Sequence, residues 1–141
     1  MSIPRILVLC TGNSCRSQMA EGWLRHFSHG QAEVHSAGVL ASRVNPRAIQ
    51  VMAEAGVDIS RHTSKHVDTL LDMSFDWVIT VCDNAKEQCP FIAGATRTLH
   101  HAFHDPTFTV GSEEEILADF RRVRDEIREF CEVFLREHAS R

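Results

Sequence analysis

No stretch of the sequence is apolar for the length a membrane helix requires, and nothing in it repeats or falls into low complexity. A spanning protein, a membrane partner and a repeat array are therefore not expected. Basic charge is not in excess either: 15 Lys and Arg face 19 Asp and Glu, for a net charge of −4, and the basic residues are scattered. That balance argues against nucleic acid as a partner. The opening segment, Met1 to Cys10, lacks the small-residue cleavage site of a secretory leader, so a cytoplasmic location is expected. In such a reducing compartment the five cysteines are expected to be thiols for chemistry or metal binding rather than a disulfide framework. What is present is an ordinary globular composition, 43% apolar and 24% charged over 141 residues. One domain over 1–141 with a real core is expected, as a monomer.

The elements alternate along the chain. Arg5–Leu9 is a continuous apolar run of the kind buried in a parallel sheet. A helix is predicted over Arg16–His29, with Met19, Ala20, Trp23, Leu24 and Phe27 on one face. Ala32–Ser36 reads as a second strand. Asn45 and Pro46 open a helix predicted to run to Gly56. Trp77–Val81 and Thr96–Leu99 read as a third and a fourth strand. Ser112 and Glu115 form a capping-box pattern ahead of a long helix. Its stripe is Ile116, Phe120, Val123, Ile127, Phe130 and Phe134, with Cys131 beside it as an inert buried thiol. The order predicts an α/β, three-layer sandwich around a small parallel sheet of about four strands flanked by helices.

Directly after the first strand comes Cys10-Thr11-Gly12-Asn13-Ser14-Cys15-Arg16-Ser17. Ligands of open α/β sheets bind beyond the carboxyl ends of the strands, and a turn into a helix there aims backbone N–H groups and a positive dipole inward. Gly12 and Asn13 tolerate left-handed backbone, as an anion-cradling loop requires, and Arg16 offers a planar fork to a tetrahedral anion. The Walker spacing is absent, so nucleotide phosphate is not the natural guest. A thiol placed as Cys10 is, beside a helix N-terminus, Arg16 and the Ser17 hydroxyl, is expected to be the nucleophile of the site. A cysteine that merely ends a strand would leave Gly12, Asn13, Arg16 and Ser17 unexplained. A zinc site from Cys10, Cys15, Cys82 and Cys89 has unusual spacings and would set Arg16 against a dication.

The pattern Cys-x5-Arg-Ser at 10–17, with Asp105-Pro106 downstream, resembles low-molecular-weight protein tyrosine phosphatases. The longer stretch from Cys10 to Trp23 is similar to the thioredoxin-coupled arsenate reductases of that superfamily. So are Val44-Asn45-Pro46, Asp58-Ile59-Ser60, His62-Thr63-Ser64 and Phe120 to Ile127. The resemblance covers nearly the whole chain. It implies the low-molecular-weight phosphatase fold, an arsenate-binding loop formed by Thr11, Gly12, Asn13, Ser14, Cys15 and Arg16, and phosphate or sulfate as competing oxyanions. It implies no bound cofactor, and thioredoxin as the external reductant.

Further thiols separate a reductase from a phosphatase, which has no use for them. Cys82 follows the third strand as Cys10 follows the first, and Cys89 comes seven positions later, before Pro90. If those strands are neighbours, about 4.8 Å apart, both thiols leave the same sheet edge within range of a disulfide after modest adjustment. The resemblance implies a relay. Cys10 attacks arsenate, Cys82 attacks the adduct and releases arsenite, and Cys89 then takes over the disulfide as Cys82–Cys89. Were 82–89 helical, seven residues would separate the ends by about 10 Å, beyond the roughly 7 Å a disulfide allows, so the segment would have to loosen. The family role of Asp105 is general acid, and Arg16 and Ser17 complete the catalytic set; a plain loop turn is the other reading of Asp105-Pro106.

Departures from the family are specific. The chain has no tyrosine, and Gln18 stands where the phosphatases carry proline. One subgroup of reductases binds potassium through residues matching Asn13, Glu21 and Ser36 plus an aspartate. Here that last position is Lys65, which is expected to substitute for the ion. The cluster His100, His101, His104 and Asp105 invites a metal, but the resemblance implies none there, and the metal expectation is none. His62 and His66 are expected at the surface or behind the loop. Two other functions remain open on the sequence: a phosphatase acting on phosphate monoesters through Cys10, and a non-catalytic oxyanion or metal–thiol sensor.

Overall fold

The structure is a computed structural model that describes residues 3–40, 42–82 and 95–139. Cys89, and the segment 83–88 whose loosening the sequence suggests, lie outside the described residues. Four strands, β1 (Arg5–Cys10), β2 (Glu33–Gly38), β3 (Trp77–Thr80) and β4 (Arg97–His100), form one parallel sheet in the order β2-β1-β3-β4. The neighbouring of β1 and β3 on which the thiol argument depends is therefore present. Because every strand is parallel, Cys10, Gly38, Thr80 and His100 all leave the same edge.

Alternation along β1 divides its side chains between two cores. Ile6, Val8 and Cys10 face the larger one, shared with α1 (Arg16–Ser28), α2 (Pro46–Glu54) and α3 (Glu113–Phe134). Leu7 and Leu9 face the smaller one, with Ala37, Val78, Phe75 and the 3₁₀ turn Val67–Leu70. This is the expected α/β sandwich on a four-stranded parallel sheet. Among the described residues, no helix is long and apolar enough to cross a membrane.

Element ends differ from the sequence reading by small amounts, with local causes. Helix α1 stops at Ser28 because His29 takes the left-handed conformation, φ 50°, with Gly30 after it. Helix α2 starts as predicted, the Asn45 side chain accepting from the Arg47 and Ala48 N–H groups. It ends at Glu54 rather than Gly56, since the Ala55 N–H already turns back to Met52 and Gly56 is left-handed. Strand β2 runs on to Gly38 because Ala37 and Gly38 pair with Leu9 and Cys10. Helix α3 has the predicted capping box, Ser112 N–H to Glu115 Oε1 at 2.8 Å and Glu115 N–H to Ser112 Oγ at 3.1 Å. Phe120, Val123, Ile127, Cys131 and Phe134 are its buried stripe, and burial pushes the Cys131 thiol far up, leaving it protonated and inert.

Gly38 is required by proximity. A Cβ there would sit 2.5 Å from the Thr11 carbonyl oxygen and 2.9 Å from the Asn13 nitrogen. The end of β2 is thus pressed directly against the loop that follows β1.

Candidate active site

The loop 10–17 is held from outside by its carbonyls. Thr11 O accepts from Leu40 N–H at 2.9 Å, and Ser14 O from Asn45 N–H at 2.8 Å. Gly12 O accepts from the Ser42 and Ser64 hydroxyls at 3.2 and 3.1 Å. Asn13 O accepts from Gln18 Nε2 at 3.0 Å, and Cys15 O from Met19 N–H at 2.9 Å. A trans peptide sets its N–H opposite its C=O, and none of the described peptides is cis. Carbonyls 11–15 turned outward therefore turn the N–H groups of residues 12–16 toward the loop interior, where they form a concave anion nest. Asn13 adopts φ 49°, the left-handed turn expected of it. No side chain caps the N-terminus of α1, so its dipole opens into the same hollow.

Cys10 sits at the floor, buried, with Sγ 2.9 Å from Ser17 Oγ. Ser17 Oγ accepts from Asn13 Nδ2 at 2.8 Å, so its own proton is available to the Cys10 sulfur. Arg16 is 97% shielded from solvent, being 3% exposed, and its guanidinium donates to Phe103 O at 3.3 Å and Asp105 Oδ2 at 3.2 Å. Asp105 caps the 3₁₀ turn Pro106–Phe108, its Oδ1 accepting from Thr107 N–H at 3.0 Å and Thr107 Oγ1 at 2.6 Å. Asp105 thus both caps a turn and reaches Arg16 of the thiol loop. Cys15 is different in kind from Cys10. Burial first, then the Asp105 and Cys10 charges, push its thiol well up against the opposing pull of Arg16. It is a neutral wall of the loop.

Cys82 comes one residue after Val81, whose N–H donates to Leu9 O at 2.9 Å, so it leaves the sheet beside Cys10. It is fully buried and disulfide-bonded, whereas Cys10, Cys15 and Cys131 are free thiols.

Behind the loop lies a buried polar network. Asn13 Nδ2 also donates to Ser36 Oγ at 2.9 Å, and Ser36 Oγ donates to Glu21 Oε1 at 2.5 Å. The Lys65 backbone N–H donates to Asn13 Oδ1 at 2.8 Å. Asn13, Glu21 and Ser36 are therefore gathered, and Lys65 joins them through its backbone N–H rather than its ammonium. The Lys65 ammonium itself donates to Thr63 O at 2.7 Å, while Glu21 Oε2 is met by Arg25 at 2.9 Å. Burial lowers the Lys65 pKa, opposed by the Glu21 carboxylate.

Gln18 and His62 complete the network. Gln18 Nε2 donates to Asn13 O and Thr63 O, both at 3.0 Å, leaving its Oε1 to accept from His62 Nδ1–H at 3.1 Å. Burial lowers the His62 pKa, with Glu21 opposing and Arg25 and Lys65 adding to the drop. A histidine whose folded pKa is depressed is protonated first in the unfolded chain. Stability attributable to it is therefore lost as the pH falls from about 6.5 toward the folded value. The thermal midpoint should drop between about pH 7.5 and about pH 5.5, and His62→Asn, which keeps a donor at the Nδ1 position, should flatten that slope. An unchanged slope in the variant would assign the effect to the other histidines.

The four residues of the histidine cluster point to separate partners. His100 Nδ1 lies 2.6 Å from Thr80 Oγ1, His101 stacks on Phe103, His104 meets Asp119, and Asp105 meets Arg16. Among the described residues, no group of three or more His, Cys, Asp or Glu could hold a metal. His66 instead caps the turn Val67–Leu70 through Asp68 N–H.

A family model described as low molecular weight phosphotyrosine protein phosphatase matches residues 5–140. The chain belongs to this family. Within the family, its relatives include the arsenate reductase of Bacillus licheniformis, 47% identical over 129 residues, covering 92% of this chain and 93% of the relative. The arsenate reductase of Bacillus subtilis is 45% identical over 131 residues, covering 90% and 94%. A solved arsenate reductase in the phosphate binding state superposes with a TM-score of 0.80 at 33% identity, covering 96% of this chain and 98% of that one. An arsenate reductase in the oxidized state superposes at 0.81 with 30% identity and the same coverage.

Sequence reasoning missed the roles of Gln18, Ser42, Ser64 and Gly38. Gln18 was visible only as a departure from the phosphatase proline, and it now proves to be the link between Asn13 and Thr63. Ser42 carries no local signal and Ser64 entered only within the motif His62-Thr63-Ser64, because their partner, Gly12 O, lies 30 and 52 residues away.

Proposed function

We propose that the chain reduces arsenate to arsenite in the loop 10–17, by a relay through Cys10, Cys82 and Cys89. The observation that carries this reading is the loop itself: inward N–H groups, the Arg16 guanidinium and the free Cys10 sulfur all belong to one short loop at the strand exit. The related arsenate reductases, one of them solved with phosphate bound, support arsenate as the guest, with phosphate and sulfate competing. Arsenate and phosphate share shape and charge, so one cradle serves both.

The Cys10 thiolate attacks arsenic, and the leaving oxygen departs as water with a proton from Asp105. The Cys82 thiolate then attacks Cys10 Sγ. An S–S bond forms, the S–As bond breaks, and its electron pair stays on arsenic, which is reduced from As(V) to As(III) and released. Attack of the Cys89 thiolate on Cys82 frees Cys10 and leaves Cys82–Cys89, which a dithiol protein of the thioredoxin class reduces. The disulfide-bonded state of Cys82 beside a free Cys10 agrees with the end of that sequence. The reading places the enzyme in the cytoplasm, where such reductants are found, as a monomer with no bound cofactor.

The test is direct. Reduced protein given arsenate, thioredoxin, thioredoxin reductase and NADPH should oxidise one NADPH per arsenite formed. Binding without arsenite would make it a sensor, and hydrolysis of aryl phosphates without arsenite would make it a phosphatase.

Lys65, in this reading, stands in for a potassium ion behind the loop, its charge tied to Thr63 O near Glu21. Exchanging potassium for sodium at constant ionic strength should then leave kcat within about twofold. Several-fold activation by potassium would remove Lys65 from that role.

A further inference from the structure

Asp105 is tethered on both sides to one carboxylate that no step above uses. His104, the residue before it, places Nε2 2.8 Å from Asp119 Oδ2. Thr109, at the far end of the turn, donates its hydroxyl to the same oxygen. The other oxygen, Asp119 Oδ1, accepts from Arg122 Nη2 at 2.5 Å, which fixes the plane of the carboxylate. Asp119 lies in the second turn of α3, just past the capping box, with its side chain 14% exposed. Its carboxyl pKa is lowered by the Thr109, Arg122 and His104 bonds against the cost of burial. The span 104–109 is thus a short bridge with both ends fastened to one oxygen of a rigid helix, and Asp105 near its start.

We propose that His104 and Asp119 are positioning residues, a clasp on α3 that sets where the Asp105 carboxyl stands over the Cys10 loop. The inference rests on the arsenate-reducing reading and on Asp105 as its acid. Arg16 alone does not define that position, because its 3.2 Å contact with Asp105 must be shared with a bound oxyanion. The clasp holds the acid when Arg16 turns to substrate. General acid catalysis depends on placement within a few tenths of an ångström, so release of the clasp should act on the chemical step rather than on binding.

The experiment measures arsenite release in the first turnover of the reduced full-length protein, at a series of arsenate concentrations. Asp119→Ala and, separately, the more exposed His104→Ala should each lower the maximal rate on the order of tenfold while moving the half-saturating arsenate less than about twofold. Asp119→Asn keeps an acceptor for His104 and Thr109 and should recover most of the rate. Each change made on an Asp105→Asn background should cost nothing further, since a clasp that acts through the acid has nothing left to position. Additive losses on that background, or unchanged rates in both alanine variants, would overturn the proposal. A wild-type rate unaffected by Asp105→Asn would remove the acid and this inference with it. No arsenite from the wild type would instead strike the arsenate reading itself.

Discussion

Cys10→Ser should abolish arsenite formation, with a loss greater than about a thousandfold, and should equally remove any hydrolysis of phosphate monoesters. The serine hydroxyl is nearly isosteric with the thiol and can keep the contact with Ser17 Oγ, now 2.9 Å. The fold should therefore be retained, with stability changed by about 1 kcal/mol or less. The anion nest is built from backbone and Arg16, so the variant should still bind phosphate or arsenate. Retained binding with no turnover is the informative combination, because it separates loss of the nucleophile from collapse of the loop. Turnover that survives the change would place the nucleophile elsewhere, and loss of binding with it would mean that Cys10 shapes the cradle.

The second large effect is expected at Cys89. Cys89→Ser should release one arsenite per protein and then stop, holding a Cys10–Cys82 disulfide. The wild type without thioredoxin should also stop after one arsenite, but as Cys82–Cys89 with Cys10 free. Peptide mapping after a single turnover distinguishes the two species. The difference follows from the geometry of β1 and β3: the two neighbouring strands deliver Cys10 and Cys82 to one edge, so the first disulfide needs no distant partner. Both residues are at most 2% exposed with Cys10 free, so a disulfide formed between them there would lie out of a reductant protein's reach. A third thiol is needed to carry the oxidised pair outward. Undiminished multiple turnover of Cys89→Ser with thioredoxin would end the relay at Cys82.

Local chemistry was legible in the sequence. The apolar run before Cys10 specifies a buried parallel strand, Asn45-Pro46 and the Ser112–Glu115 pair specify helix starts, and the stripe from Phe120 to Phe134 specifies a core-facing helix. These signals depend on residues within a turn or two of each other, where sterics and single hydrogen bonds decide the outcome. Element ends were less legible, because they are set by left-handed residues such as His29 and by strand pairing, as at Gly38. The loop 10–17 announced an anion site for the same local reason: a permissive glycine, an asparagine that accepts left-handed backbone and an arginine fork are crowded at a strand exit.

Read alone, the sequence names the candidate reactive groups, Cys10, Arg16, Cys82 and Cys89, and the elements that carry the described ones to a common sheet edge. The partners those groups meet come from the fold. Arg16 reaches Asp105 across 89 positions, Gln18 reaches Thr63 across 45, and His104 meets Asp119 on a helix that the sequence marks only by its cap and stripe. No periodicity encodes such pairs. They follow from strand order and from the packing of α1, α2 and α3 into one shared core, and burial then makes each polar group find a partner. For the same reason the charge on Glu21 is met by Arg25, one helical turn away, while Lys65 turns to a backbone carbonyl. The sequence reading placed only Lys65 near the loop, and the structure brings Arg25 to Glu21 instead.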